Sequence, residues 1–248
     1  MKRLVALSVL VPLVLATGCA SQTLLSAEDR TKLQHDLTTG PAADRYLKAS
    51  SNITPFFGDA SKRLLTPYPP EEVRLLNDTK GNPINPGAVQ AMVPAGTPVR
   101  VLKVEFPTAW VMAERVLYSP RTQPWVYLDV KGAPPGPPVI LVLPPQLKTK
   151  EDVLAELDRH LLPQDPAPRI AKFQPRFQEA LKQKKVLEYM PEAAVEMSWG
   201  MPESVRRTLD GQQVHQEWVY PGGKRRVFIT DGLVTRVDEG APAPAPAK

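Results

Sequence analysis

Proline fills 29 of the 248 positions, and that frequency limits the length of every element this chain can form. A proline ring fixes φ near about −65°, removes an N–H donor and disfavours helix in the residue before it. Helices and central strands are therefore confined to the stretches between prolines. Pro67, Pro69 and Pro70 mark one boundary, and Pro134, Pro135, Pro137 and Pro138 form a semi-rigid connector. Pro163, Pro166 and Pro168 break a linker, and Pro191 opens the last unit.

The patterns between these marks differ. Residues 19–66 carry two brief helical patterns, one opened by Ser26 with Asp29 three positions later and one opened by Pro41 as a first-turn proline. Leu33 with Leu37, and Ala43 with Leu47, have the spacing of one helix face, and Phe56 and Phe57 supply apolar surface for packing. This predicts a helical arm. Residues 67–147 read as a β module, with strands at Val73–Leu76, Val99–Phe106, Val111–Tyr118, Trp125–Val130 and Val139–Leu143, and with Trp110 and Trp125 read as core fillers, the alternative being that they line a peptide-binding groove. Residues 148–190 read as a helical linker. There Thr149 and Asp152 form a capping box ahead of Val153, Leu154, Leu157 and Leu161, and Pro175 opens a helix bearing Phe177, Ala180 and Leu181.

Residues 191–239 predict two short helices, at 191–198 and 203–209, separated by Trp199-Gly200-Met201-Pro202. Strands at 214–220, 224–230 and 233–237 follow, the last two joined by Asp231-Gly232, a type I′ hairpin signal. Trp218 and Tyr220 share a face on which Trp199 can pack. Residues 240–248 form an extended Pro/Ala tail. The fold class that results is α+β, with segregated helical and antiparallel parts.

At the start of the chain, Lys2 and Arg3 precede thirteen residues, Leu4 to Ala16, of apolar character. A spanning helix needs about 20, so residues 1–18 read as a signal peptide. Ala16-Thr17-Gly18-Cys19 resembles the lipobox of bacterial lipoproteins. The resemblance implies cleavage before Cys19, a thioether-linked diacylglyceryl on its sulfur and a third acyl chain on the new amino terminus. Several chains together make an anchor stable where one gives only marginal binding. Ala20 stands where an aspartate would hold such a protein at the inner membrane, so the resemblance implies the periplasmic face of the outer membrane. The alternative is an ordinary signal peptide that leaves Cys19 as a free thiol.

Two further segments resemble known families. Pro94-Ala95-Gly96-Thr97-Pro98, running into the alternating valines of 99–106, resembles the bacterial SH3-like barrels over roughly residues 70–145. Ser198-Trp199-Gly200-Met201-Pro202, with Glu217-Trp218-Val219-Tyr220, Val227-Phe228 and Asp231-Gly232-Leu233-Val234, resembles the small outer-membrane lipoproteins of the BamE-like (SmpA/OmlA) type. That resemblance implies a module of two helices and a three-stranded meander, and partners among envelope proteins or peptidoglycan.

Composition removes other classes. Cys19 is the only cysteine, so no internal disulfide can form, and His35, His160 and His215 show no metal-ligand spacing. Phosphate-binding glycine loops, dinucleotide fingerprints and nucleophile elbows are missing, so no cofactor is expected. Two of the 31 basic residues leave with the signal peptide, so 29 face 26 acidic ones, which is no nucleic-acid binder's charge. The runs Lys182–Lys185 and Lys224–Arg226 read as solvated faces. Glu71-Glu72 and Glu151-Asp152 are adjacent pairs whose side chains diverge, and Asp158 and His160 point apart on their helix, so no catalytic dyad is expected. The reading is a non-enzymatic, lipid-anchored envelope protein that binds or scaffolds. The competing readings are a cell-wall or lipid-modifying enzyme and a passive spacer.

Overall fold

The computed structural model describes residues 25–240. The expectations for the signal peptide, for Cys19 and for residues 241–248 of the tail fall outside the described residues. The rest is a mixed α+β structure with one large sheet and a separate four-stranded antiparallel sheet.

The large sheet has eight strands: β1 (Asp44–Leu47), β2 (Ser51–Phe56), β3 (Asp59–Thr66), β4 (Ala91–Val93), β5 (Pro98–Glu105), β6 (Trp125–Val130), β7 (Val139–Val142) and β8 (Leu161–Leu162). Their order across the sheet is β4-β2-β3-β7-β6-β5-β1-β8, and every neighbouring pair is antiparallel except β3 with β7. Alternation along the central strands buries both faces. Val126, Leu128, Val139 and Leu141 face one core, together with Leu33 and Leu37 of α1 (Ala27–Thr38) and Val153 and Leu157 of α3 (Lys150–His160). Trp125, Ile140 and Val142 face a second core with Phe56, Leu64 and Val73. Between β5 and β6 lies the single short helix α2 (Ala109–Glu114).

Beyond α3 come α4 (Ala167–Ile170), α5 (Pro175–Lys182) and α6 (Glu192–Trp199). The second sheet follows, with β9 (Ser204–Asp210), β10 (Gln213–Val219), β11 (Arg226–Thr230) and β12 (Leu233–Asp238) in the order β12-β11-β10-β9. Trp218, Tyr220, Val227 and Ile229 pack on Phe177 of α5 and on Val195 and Trp199 of α6. Trp199 meets Tyr220 edge to face, with ring centroids 5.2 Å apart.

Several expected elements form as read. The Thr149–Asp152 capping box is reciprocal, Ser26 caps α1 by accepting from the Asp29 N–H at 3.0 Å, and Phe177, Ala180 and Leu181 are the buried face of α5. Asp231 and Gly232 have φ of +49° and +81°, the paired positive values that a type I′ turn requires.

Other expectations are corrected. The helical arm over 19–66 gives way after α1: Gly40–Ala43 is a 3₁₀ turn, and residues 44–66 supply three strands of the large sheet. A spacing of four is one helical turn and also two strand pleats, so Ala43 at the end of the turn and Arg45 and Leu47 in β1 are buried together. The same ambiguity misplaces Val205 and Leu209, which belong to β9, so the last unit has one helix and four strands instead of two helices and three. The sheet also exceeds the four or five strands expected of 67–147, because it draws strands from 44–66 and takes β8 from the stretch read as a helical linker. Val111–Tyr118 is α2 and a loop, since Thr108 caps a helical turn by accepting from the Val111 N–H. Val73–Leu76 follows a 3₁₀ turn at Pro70–Glu72 and forms no strand. Trp125 is a core residue, whereas Trp110 is 74% exposed.

Candidate binding groove between the two sheets

The link from β1 to β2, residues 48–50, is where the two sheets meet. The Lys48 N–H donates to the His160 carbonyl at 2.9 Å, and the Ser50 N–H donates to the Met197 carbonyl at 2.8 Å. Ser50 is fully buried: its hydroxyl donates to the Leu181 carbonyl at 2.7 Å and accepts from the Ala95 N–H at 3.0 Å. One small side chain therefore fastens α5 and the approach to β5 to the same point.

Lys184, just past α5, ties that link to two more segments. Its backbone has φ of +56°, and its ammonium donates to the carbonyls of Ser50 at 2.9 Å and Ser198 at 3.2 Å, and to that of Pro67. All three of its protons find acceptors, which offsets the cost of burying an ammonium. Burial, aided by the charge of Arg225 and opposed by that of Glu72, pulls its pKa down to about 7.

Beside it lies a buried ion pair. The Glu72 carboxylate accepts from Nε and Nη2 of Arg225 at 2.6 and 2.7 Å, with both side chains almost fully buried. The guanidinium lies over Trp199 at 4.3 Å and Tyr220 at 4.9 Å from the ring centroids. Lys184 and Arg225 thus correct the reading of both basic runs as wholly solvated. Lys182 and Lys224 in the same runs are exposed. Local spacing holds no signal for this, because the partners of Lys184 and Arg225 lie up to 153 positions away.

Glu72, and Pro67 whose carbonyl accepts from Lys184, also line a cavity of about 230 Å³. Leu65, Val73, Leu75, Leu141 and Val142 give it apolar walls, Tyr68 and Pro67 close one side, and Glu72, Glu156, His160 and Glu203 supply its polar groups. His160 lies 3.2 Å from Glu156 in a carboxylate–imidazole pair. That bond is the main reason the Glu156 carboxyl sits below the usual carboxylate range, with burial opposing it. Asp158 pairs instead with Arg45, so the expected divergence of Asp158 and His160 is what the helix displays.

The hydroxyls around the groove are already engaged. Tyr68 donates to the Met201 carbonyl at 2.9 Å, Ser51 donates to the Ala49 carbonyl, and Thr66 accepts from the Tyr68 N–H. None of them is hydrogen-bonded to His160, whose ring contact is with Glu156. Among the described residues no cluster of three His, Cys, Asp or Glu side chains could hold a metal ion, and no helix is long and apolar enough to cross a membrane. His35, His160 and His215 occupy α1, α3 and β10.

Comparison with known proteins finds no matching protein family, no matching curated protein and no matching solved structure.

Proposed function

We propose that this chain is a lipid-anchored envelope protein that binds a partner and does no chemistry on it. The signal-peptide pattern and Cys19 support an anchor at the periplasmic face of the outer membrane, with membrane contact through acyl chains. The observation that carries the binding part is the junction groove. Its apolar walls stand beside Glu72 of the buried Glu72–Arg225 pair, and its carboxylate–imidazole pair is hydrogen-bonded to none of the neighbouring hydroxyls. A preformed apolar cleft with a few polar groups suits a small apolar ligand or a peptide side chain. The resemblances to SH3-like barrels and BamE-like lipoproteins favour envelope proteins, or peptidoglycan, as its source.

Intact mass and membrane fractionation of the native protein beside a Cys19→Ser variant test the anchor. An acyl mass on Cys19 with outer-membrane fractionation, lost in the variant, is expected; an unmodified soluble wild type overturns it. A photo-crosslinking residue at Leu75, at the groove rim, tests the binding. One recurrent adduct from the envelope supports it, and hydrolysis of a wall or lipid substrate that is lost in His160→Gln replaces it with the enzymatic reading.

A further inference from the structure

Among the described residues, four of the large apolar side chains that stand exposed fall in the stretch from α2 to Tyr118. The helix has no buried residue, Trp110 is 74% exposed, Leu117 and Tyr118 are each 65% exposed, and Val116 is 40% exposed. Side chains of this size grouped on one loop mark a contact surface. The loop is also held rigid. Arg115 is turned inward onto Glu105 and onto the carbonyls of Arg121 and Gln123, and Arg121 donates to the Met112 carbonyl. With both guanidiniums engaged inside, the outward side is nearly neutral, with Glu114 its one exposed charge.

The course of α1 supplies the second observation. Gln34 Oε1 accepts from the Val104 N–H at 2.7 Å near the end of β5, whereas Asp44, just after the helix, faces Arg100 near the start of β5. The helix therefore runs against β5, and its first residues lie towards the end of β5, where Phe106 leads into α2. Leu25 follows Cys19 by six positions, a reach of at most ~20 Å when fully extended. An acyl anchor on Cys19 is thereby kept at the end of the molecule that carries the apolar loop.

We infer that the 109–118 loop is a second membrane contact, which seats Trp110, Leu117 and Tyr118 in the interfacial layer of the bilayer beside the anchor. This rests on the lipid-anchor reading above. An aromatic and aliphatic tip without free cations is what the headgroup boundary accepts from amphipathic side chains. Its near neutrality means that contact does not depend on anionic lipid.

The test exploits two accidents of composition. Cys19 is the only cysteine, so the chain from Cys19 onward can be coupled through its thiol to a maleimide lipid in phosphatidylcholine vesicles, whatever the native modification. Trp125, Trp199 and Trp218 are buried, so Trp110 is the only exposed tryptophan. Its emission is isolated by subtracting a Trp110→Phe variant. The expected result is a blue shift of Trp110 emission and its quenching by lipids brominated on the acyl chains, equal in zwitterionic and anionic vesicles. Leu117→Asp, with an unchanged thermal midpoint, should weaken vesicle partitioning of the untethered chain by roughly tenfold or more. Solvent-like Trp110 emission on the tethered protein, quenched by acrylamide and untouched by bromine, overturns the inference. Shielding of Trp110 only in native membranes, with none on protein-free vesicles, also overturns it and assigns the loop to a protein partner. Native protein without an acyl mass on Cys19 sinks the anchor reading separately.

Discussion

The molecule uses one chemical device twice, in places that could hardly differ more. In each, an arginine is paired with a glutamate, fully buried in one case and half-buried in the other, and stacked on a buried tryptophan. Arg115 lies 3.6 Å from the Trp125 ring centroid and donates to Glu105, ten positions away. Arg225 lies 4.3 Å from that of Trp199 and donates to Glu72, 153 positions away. The first closes a loop within one sheet, and the second joins the two sheets. A planar guanidinium suits both tasks because it can stack and pair at once. The separation of the partners decides whether the device stiffens a detail or determines the architecture.

The largest effect is expected of Arg225→Ala. It leaves Glu72 buried without a partner, which costs about 3–5 kcal/mol. Chemical denaturation should record that loss, and hydrogen exchange should show loosening on both sides of the junction. Arg115→Ala should open the 107–124 loop, with a smaller global loss of about 1.5–3 kcal/mol and exchange confined to that loop. Equal, global loosening by both variants would break the comparison.

Gly200→Ala comes next. Gly200 has φ of +84°, and a Cβ there would lie 2.7 Å from Cβ of Pro67, so the end of α6 would be forced away from the large sheet. A cost of about 1–3 kcal/mol is expected from the backbone alone, read as a lower midpoint in urea.

Acidity separates the two regions further. Burial holds the pKa of Lys184 at about 7, below its ordinary value of 10.5. Between these values the unfolded chain binds more protons than the folded one, so junction stability rises with pH across that window. Glu105 behaves in the opposite range. Burial raises its pKa, but the bonds from Lys103 and Arg115 outweigh burial and hold it below 4.5. Its contribution is complete above 4.5 and is lost as pH falls through the folded value. Denaturation at pH 6.5 and 9 should show the first slope, absent in Lys184→Met, and titration below pH 4.5 the second. The smallest effect is expected for Trp110→Ser, whose exposed side chain supports nothing in the fold, with a change within about 0.5 kcal/mol.

What could be read beforehand divides along the same line of local against distant. Caps, hairpin turns and buried alternation were legible because their partners lie within a few residues, as with Thr149 and Asp152 or Asp231 and Gly232. Strands β1 and β9 were misread because apolar residues four apart fit both periods, and only pairing with β5 or β10 settles the choice. The groove was illegible, since Tyr68, Leu141 and His160 come together only when three separate elements pack. Lys184 inside a lysine run offered no contrast to its neighbours.

The position of β1 has one more consequence. It lies between β5 and β8, so its four residues gain one edge when residue 100 is available and the other only when residues 161 and 162 are. A polypeptide delivered amino terminus first must keep that early segment waiting until almost two thirds of the chain has been delivered. Such long-range closure is slow compared with local hairpins. The carboxyl-terminal meander, with strands joined to their sequence neighbours, should therefore be the part that organises fastest although it arrives last.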